Sequence, residues 1–385
     1  MKLYNSYSRQ VENFQPIDSS NVKMYVCGIT PYDTTHLGHA FVYVTFDALK
    51  QFLEFKGYKV TYTQNVTDID DDILKRAKRD GKNWQELGNF WTGKFLNDLK
   101  SLNVKMPDHY IKATEAMSEI IEMVSTLIKK GFAYEVNGNV YFEVSKFPDY
   151  GKLSKFSQDQ MTQLLKERGG NPDDPNKKAP LDFLLWQKSK EDEPFWDSPF
   201  SKGRPGWHIE CSAMIKRTLG EQIDIHGGGM DLIYPHHESE LAQSEAYSGK
   251  KPFVKNWMHI AMVSYQGEKM SKSLGNLVLV YDLLKKYSPN AIRLMLLLNH
   301  YRKPWEYTEE QMKKAQEIID KLETNFRHTP ERWEAKLQTE DRLLSGLEED
   351  FNTGFALKRL IDESAKNPSK TKAGFELLGF RFLDF

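Results

Sequence analysis

The stretch 24–39 constrains the fold most, because it has the pattern of a strand, a turn-rich loop and the first turn of a helix. From Leu37 to Leu53, apolar residues recur at helical spacing. A second alternating, β-branched run follows over 58–66. Two strands joined by a crossover helix form a βαβ unit, so the pattern predicts an α/β fold built on a parallel sheet.

The start of this helix has the chemistry of an anion site. The first helical turn presents unpaired N–H groups and the positive end of the helix dipole. His36 and His39 add hydrogen-bond donors there, and Gly38 allows a flat ring to approach the backbone. The alternative is an ordinary helix N-terminus that carries two solvated histidines.

Length and composition limit the class of protein. A chain of 385 residues is expected to form two or three domains. It has no run of eighteen apolar residues and no apolar signal core at its N-terminus, so we expect a cytoplasmic protein that does not contact membranes. The net charge of −1 weakens the case for nucleic-acid binding. Cys27 and Cys211 are the two cysteines, which excludes a disulfide framework but not a single bridge.

The chain divides into four predicted segments. Residues 1–130 form the first half of a nucleotide-binding domain, and 131–205 form an inserted connective region rich in Gly, Pro and Lys. Residues 206–305 form the second half of the nucleotide-binding domain, and 306–385 form a short helical domain with heptad-like apolar spacing.

Four residues whose side chains can bind zinc lie on elements that are predicted to end near one another. These residues are Cys27, Cys211, His236 and Glu240, and the last two share one face of a helix because they are four apart. The spacing is not that of a zinc finger. Buried thiols and a hydrogen-bonded histidine are the alternative interpretation.

A loop with two lysines among small residues follows the strand near residue 260. Lys269 and Lys272 stand three apart and suit the charge of a phosphate group. A solvated surface loop is the alternative.

Two separated motifs together resemble a known family. His36-Leu-Gly-His39 and Lys269-Met-Ser-Lys-Ser273 are similar to the two signature motifs of class I aminoacyl-tRNA synthetases, in the same order and about 230 residues apart. The segments 206–211, 226–229 and 235–238 narrow the resemblance to the cysteine-specific branch. The resemblance covers roughly residues 20–310. It implies a Rossmann-like class I synthetase domain with an inserted connective region.

Within that branch the sequence resembles most closely the ligase of mycothiol biosynthesis, which joins cysteine to the amine of glucosaminyl-inositol. The stretch 28–40, Phe41 in place of an Arg, the segment 167–172 and the early end of the chain favour this enzyme. Cysteinyl-tRNA synthetase is the alternative, with tRNA as partner, and a non-catalytic paralogue is a third possibility. Glu240 matches the fourth zinc ligand of the tRNA synthetases.

The resemblance also implies residue roles. His36, His39, Lys269 and Lys272 would stabilise phosphate charge while cysteine attacks ATP, which is expected as a magnesium complex. Zinc held by Cys27, Cys211, His236 and Glu240 would bind the substrate thiolate. Val42 stands where both groups usually carry Thr. We expect a monomer that uses L-cysteine, ATP and a small amino-sugar acceptor. The remaining contacts to cysteine and ATP would come from Cys27, Gly28, Ile29, Thr30, Val42, Asn65, Val66, Thr67, Trp207, Gly229, Met230, Asp231 and Val263.

Overall fold

The structure is a computed structural model that describes residues 1–270, 275–327, 337–338 and 341–382. The strands are β1 (Lys2–Asn5), β2 (Gln10–Asn13), β3 (Asn21–Ile29), β4 (Lys59–Val66), β5 (His109–Lys112), β6 (Ala133–Val136), β7 (Asn139–Phe142), β8 (Phe183–Lys188), β9 (Gly203–Pro205), β10 (Ile223–Gly229), β11 (Val254–Ile260), β12 (Val263–Tyr265), β13 (Glu268–Lys269) and β14 (Trp305–Glu306). The helices are α1 (Leu37–Phe55), α2 (Asp71–Asp80), α3 (Trp84–Ser101), α4 (Met117–Lys129), α5 (Gln158–Glu167), α6 (Trp207–Leu219), α7 (His236–Ser248), α8 (Val280–Leu284), α9 (Pro289–Leu298), α10 (Glu309–Arg327), α11 (Ser345–Glu348), α12 (Thr353–Glu363) and α13 (Pro368–Leu377).

A five-stranded parallel sheet forms the centre of the fold, in the order β11-β10-β3-β4-β5. The chain runs outward from β3 to β4 and β5, then returns to the other side of β3 with β10 and β11. The connections that leave β3 and β10 therefore run in opposite directions along the sheet. Open α/β sheets bind ligands at such a switch point. The predicted α/β fold with a parallel sheet is confirmed.

The inserted region contains a separate antiparallel sheet, β6-β7-β8-β9. Its first hairpin turns at Asn137 and Gly138, which have φ angles of 54° and 81°. Positive φ at both central residues gives the turn twist that matches a tight hairpin, and Asn-Gly tolerates it best. The turn predicted at these residues is confirmed, whereas the exact boundaries of the four segments stay a prediction.

Glu238 ties the inserted region to helix α7. Its carboxylate accepts hydrogen bonds from the backbone N–H groups of Gly151, Leu153 and Ser154, at 2.9, 3.4 and 2.7 Å. The side chain is fully buried. Burial raises the pKa of this carboxyl, and the N–H groups act in the opposite direction by favouring its charged form. The loop 151–154 is thus fixed to the helix through main-chain donors.

A buried ion pair joins the parallel-sheet domain to the C-terminal helices. Asp47 on α1 accepts from the guanidinium of Arg293 on α9, and neither side chain is more than 2% exposed. Arg293 also donates to the backbone oxygens of Leu378 and Leu102, at 2.7 and 3.0 Å.

Among the described residues, no helix has the length and apolar character needed to cross a membrane.

We expect Asp47→Ala to lower the free energy of unfolding by about 3–5 kcal/mol, because the substitution leaves the Arg293 charge buried without its partner. Urea unfolding followed by circular dichroism measures the change. Asp282→Ala is the matched control, since it removes an exposed pair with Lys285 and should change stability little. Equal midpoints for the two variants would contradict this assignment.

Candidate active site

A cavity of about 650 Å³ opens at the carboxyl ends of β3, β10 and β11. The predicted site residues that line it are Cys27, Gly28, Ile29, Thr30, His36, His39, Val42, Trp207, Gly229, Asp231, Val263 and Lys269. The cavity therefore brings the first turn of α1 together with residues that lie some 170 to 240 positions further along the chain.

His36 begins helix α1 and is held by its own backbone. Its Nδ1 accepts a hydrogen bond from the Gly38 N–H at 3.1 Å, as an N-cap residue does. Because Nδ1 is the acceptor, the neutral ring carries its proton on Nε2. The rings of His36 and His39 stack with centroids 3.8 Å apart. A Cβ on Gly38 would lie 2.9 Å from His36 Cε1, so glycine keeps room for this ring.

Lys269 lies at the end of the β12–β13 hairpin and lines the same cavity as the two histidines. Its side chain is exposed, as a residue that meets an incoming anion would be. Lys272, the second predicted lysine, lies outside the described residues.

The four predicted zinc ligands come together beneath the cavity. The ligand atoms of Cys27, Cys211, His236 and Glu240 all lie within 4.8 Å of one another, and all four residues are buried. His236 and Glu240 are one helical turn apart on α7, with Nε2 and Oε1 3.1 Å from each other. A second set with the same property consists of Cys27, His226, His237 and Glu240.

The electrostatics of this cluster suit a cation. Burial raises the pKa of both thiols and of Glu240, and it lowers the pKa of His236. In the absence of a positive charge, the buried cluster is therefore driven toward its neutral forms. A divalent ion reverses that preference, because it favours thiolate, carboxylate and neutral imidazole together. Two sulfurs, one nitrogen and one oxygen form a donor set that fits zinc.

A shell of buried imidazoles surrounds the cluster, and the sequence analysis did not include it. His208 Nδ1 lies 3.0 Å from His236 Nδ1, and His226 Nε2 lies 3.0 Å from Glu240 Oε2. Burial lowers the pKa of both His208 and His226 to about 3, so they are uncharged at neutral pH. Contacts of this kind orient ligating side chains. The available signal was the presence of His208 and His226 in the segments 206–211 and 226–229, which carry the family resemblance.

Trp207 contacts both the cluster and the cavity. Its ring stacks on His236 with centroids 4.2 Å apart and an interplanar angle of 22°. Cys27 and Trp207 both line the cavity, so the cluster borders the cavity at Cys27, with the indole beside it.

Four predicted contact residues do not line the cavity. Asn65, Val66 and Thr67 are at most 3% exposed, and Met230 lies in a short turn outside the lining. Asn65 instead shapes the site, because its Oδ1 accepts from the Gly28 N–H at 2.7 Å. A Cβ on Gly28 would lie 1.6 Å from the backbone oxygen of Asn65, so only glycine fits there.

The cavity also has lining residues that the sequence analysis did not assign. Tyr32, Asp33, Asp70 and Asp72 form an acidic side. Arg168, from the segment after α5, donates to the backbone oxygens of Asp231 and Tyr234 and lines the same cavity. The lack of any helix or strand pattern around Arg168 was the available signal.

Comparison with solved structures identifies the class of fold. Methionyl-tRNA synthetase from Mycobacterium tuberculosis, solved with methionyl-adenylate, superposes with a TM-score of 0.66 at 15% identity. The match covers 93% of this chain and 89% of that structure. At this identity the likeness shows the fold alone, so the chain shares the fold of that synthetase.

Sequence comparison then identifies the family. Residues 13–317 match the family model described as "tRNA synthetases class I (C) catalytic domain". A cysteine–tRNA ligase of Dehalococcoides mccartyi (strain 195) is 47% identical over 367 residues, covering 94% of this chain and 79% of the relative. One from Thermococcus onnurineus is 45% identical over 381 residues, with coverage of 94% and 79%. The chain therefore belongs to the class I (C) tRNA synthetase family, and it is an enzyme of that type.

The expected closeness to the mycothiol ligase is not supported, because the relatives just described are tRNA ligases. Two residues on which that expectation depended serve contacts within the chain. Phe41 is 1% exposed and packs edge-to-face on Trp305, with ring centroids 5.6 Å apart. Arg168 binds backbone oxygens, as described above. Phe41 is therefore a packing residue, whereas Arg168 also lines the cavity.

Proposed function

We propose that the protein is a cysteine–tRNA ligase, which joins cysteine to tRNA at the expense of ATP. The observation that carries this proposal is the convergence of Cys27, Cys211, His236 and Glu240 beneath the cavity of a class I synthetase fold. The names of the relatives, at 45–47% identity, support the same substrate pair.

Recognition of cysteine would depend on the buried cluster. Its four residues would hold zinc, which when bound supplies a ligand position for the substrate thiolate that the hydroxyl of serine fills poorly. His208 would fix the ring of His236 through the 3.0 Å contact between their Nδ1 atoms. Trp207 would exclude water from this side of the amino acid. Loss of a specific polar contact discriminates more strongly than loss of a methylene, so this site could reject serine unaided.

The first reaction step is formation of the adenylate. A carboxylate oxygen of cysteine attacks the α-phosphorus of ATP, a new P–O bond forms, and pyrophosphate leaves with the electrons of the broken bond. The transition state gathers negative charge on the phosphate oxygens, so positioned donors lower its energy. His36 would donate through Nε2–H, with His39 and Lys269 beside it. Lys272 and a magnesium ion that arrives with ATP would complete the set.

The second step transfers the cysteinyl group to tRNA. A hydroxyl of the terminal ribose attacks the carbonyl carbon of the adenylate, an ester bond forms, and AMP leaves. An adenylate bound at the carboxyl ends of β3 and β10 would lie in the open cavity, where a macromolecular acceptor could reach it. An amino sugar would form an amide with the same adenylate. The two acceptors are therefore distinguished by measuring which of them becomes joined to cysteine.

We expect tRNA to accelerate AMP release from cysteine and ATP and to become charged with cysteine, whereas glucosaminyl-inositol leaves the rate unchanged. Radiolabelled cysteine, precipitated with tRNA, measures charging, and AMP is quantified in the same reaction. Periodate-oxidised tRNA is the control, since its terminal ribose lacks the acceptor hydroxyls and should accept no cysteine. Faster AMP release with the amino sugar and none with tRNA would refute the proposal.

A further inference from the structure

A buried tyrosine on strand β3 faces the cluster that is proposed to hold zinc. Tyr25 stands two residues before Cys27, and side chains two apart on a strand point to the same face of the sheet. Both residues accordingly pack in the same hydrophobic cluster, whereas Met24 and Val26 pack in the other one. The Tyr25 ring contacts His226 edge-to-face, with centroids 5.1 Å apart. The phenol therefore forms part of the wall around the proposed ligands.

The hydroxyl of Tyr25 lies beside sulfur atoms. The side chain is 0% exposed, so water does not reach it. Within the part of the chain that the structure describes, no nitrogen or oxygen atom pairs with this hydroxyl. Burial raises the pKa of Tyr25, and the charges of Cys211 and Cys27 raise it further, as expected for a hydroxyl next to both thiols. Buried hydroxyls find a hydrogen-bond partner, and here the partner that remains is sulfur.

Cys211 carries the sulfur that this hydroxyl meets. Burial raises the pKa of the Cys211 thiol, whereas hydrogen bonds with Cys27 and Tyr25 act in the opposite direction by favouring the thiolate. A phenol has one O–H donor and is protonated at neutral pH, so it stabilises a charged sulfur by donating to it. Such a charge-assisted hydrogen bond is stronger than one between neutral groups.

We propose that Tyr25 is a positioning residue that donates its O–H to the Cys211 thiolate and thereby sets how strongly this sulfur donates electrons to the metal. The inference rests on the proposed function, because it concerns the cluster that is proposed to select cysteine. A sulfur that also accepts a hydrogen bond gives less charge to a metal ion. The metal then keeps more affinity for one further thiolate, that of the substrate. Tyr25 thus strengthens the binding of cysteine without touching it.

The test is Tyr25→Phe, which removes the hydroxyl and keeps the ring. Cobalt(II) in place of zinc reports the sulfurs through its sulfur-to-cobalt charge-transfer band. The band should keep its full intensity, because both thiolates remain. It should move to lower energy, because a thiolate without the hydrogen bond gives up charge more readily. In pyrophosphate exchange the KM for cysteine should rise about 10-fold, while the KM for ATP stays unchanged.

Tyr62→Phe is the matched control. Tyr62 is 3% exposed on the neighbouring strand β4, and its hydroxyl donates to Gln64 Oε1 at 3.2 Å rather than to sulfur. Its loss should change neither the band position nor the KM for cysteine. As a second substitution, 3-fluorotyrosine at position 25 alone keeps the hydroxyl and is a stronger donor, because fluorine makes the phenol more acidic. It should move the band to higher energy, opposite to Tyr25→Phe.

The Cys211→Ser background identifies the sulfur that accepts the hydrogen bond. There only the Cys27 thiolate absorbs, so adding Tyr25→Phe should leave the band where it is. A shift as large as that in the unaltered background assigns the bond to Cys27 and overturns the inference. So does one band position shared by the unaltered protein, Tyr25→Phe and the fluorotyrosine protein, although the proposed metal site then stands. If the unaltered protein binds neither zinc nor cobalt, the metal site of the proposed function itself fails.

Discussion

The Cys211→Ser variant is expected to lose bound zinc and more than about 100-fold of its cysteine-dependent pyrophosphate exchange. Removing a side chain that only orients a ligand lowers metal affinity 10–100-fold, so removing a ligand should cost at least as much. The ligand atom of Cys211 lies within 4.8 Å of the other three, inside a fully buried cluster. Elemental analysis of the dialysed protein measures zinc, and isotope exchange measures activation.

A spectroscopic measurement separates ligation from structural damage. Cobalt bound by cysteine sulfur absorbs in the near ultraviolet through charge transfer. At a saturating excess of cobalt, which overcomes the weaker binding, the variant should show about half the intensity because one of two thiolates is gone. Ser212→Ala is the control on the same helix, since Ser212 bonds to Gln243 and Ser244 and not to the cluster. Unchanged zinc and unchanged exchange in Cys211→Ser would show that this cysteine is not a ligand.

Replacing His36 with asparagine should lower the kcat of adenylate formation by about 100- to 1,000-fold while the protein stays equally stable. Removing one donor aimed at transition-state charge has an effect of this size. Asparagine is among the best N-cap residues, so its Oδ1 replaces His36 Nδ1 as acceptor for the Gly38 N–H. The substitution thus keeps the start of α1 and removes the Nε2–H donor. Single-turnover formation of the adenylate measures kcat directly.

His36→Ala provides the comparison. It removes the cap and the donor together, so it should match the asparagine variant in kcat and also lose about 0.5–2 kcal/mol of stability. Thermal unfolding measures the second effect. Full activity of His36→Asn would mean that the imidazole serves the helix alone, and equal loss of stability in both variants would mean that asparagine fails as a cap.

The central βαβ unit could be predicted because its pattern is local. Apolar residues at helical spacing and an alternating strand placed α1 at Leu37–Phe55 and β4 at Lys59–Val66 within a few residues. The four residues proposed to hold zinc could also be grouped from the sequence, because ligand residue types are few and two cysteines leave little choice. His36, His39 and Lys269 line the cavity as expected, whereas residues 271–274 of the second motif lie outside the described residues.

The rest depends on contacts between distant parts of the chain. Asp47 and Arg293 are 246 positions apart, and neither has a local pattern that names its partner. Asn65 and Thr67 lie at the carboxyl end of β4, where ligands collect, but both side chains are buried. Asn65 Oδ1 accepts from the Gly28 N–H, and the Thr67 N–H donates to the backbone oxygen of Ile29. Phe41 favours the mycothiol ligase in the sequence, whereas its environment in the structure is the core next to Trp305. A single residue type does not distinguish packing from recognition.

Helix α7 contributes side chains both to the buried cluster and to the contact with the inserted region. His236 and Glu240 extend from it into the thiol site, and Glu238 between them holds three main-chain N–H groups of the loop 151–154. If the cluster selects the amino acid as proposed, a change in that loop would reach the selection through the backbone of α7. Substitutions that relax the exclusion of serine would then be expected in the inserted region as well as among the residues of the cluster.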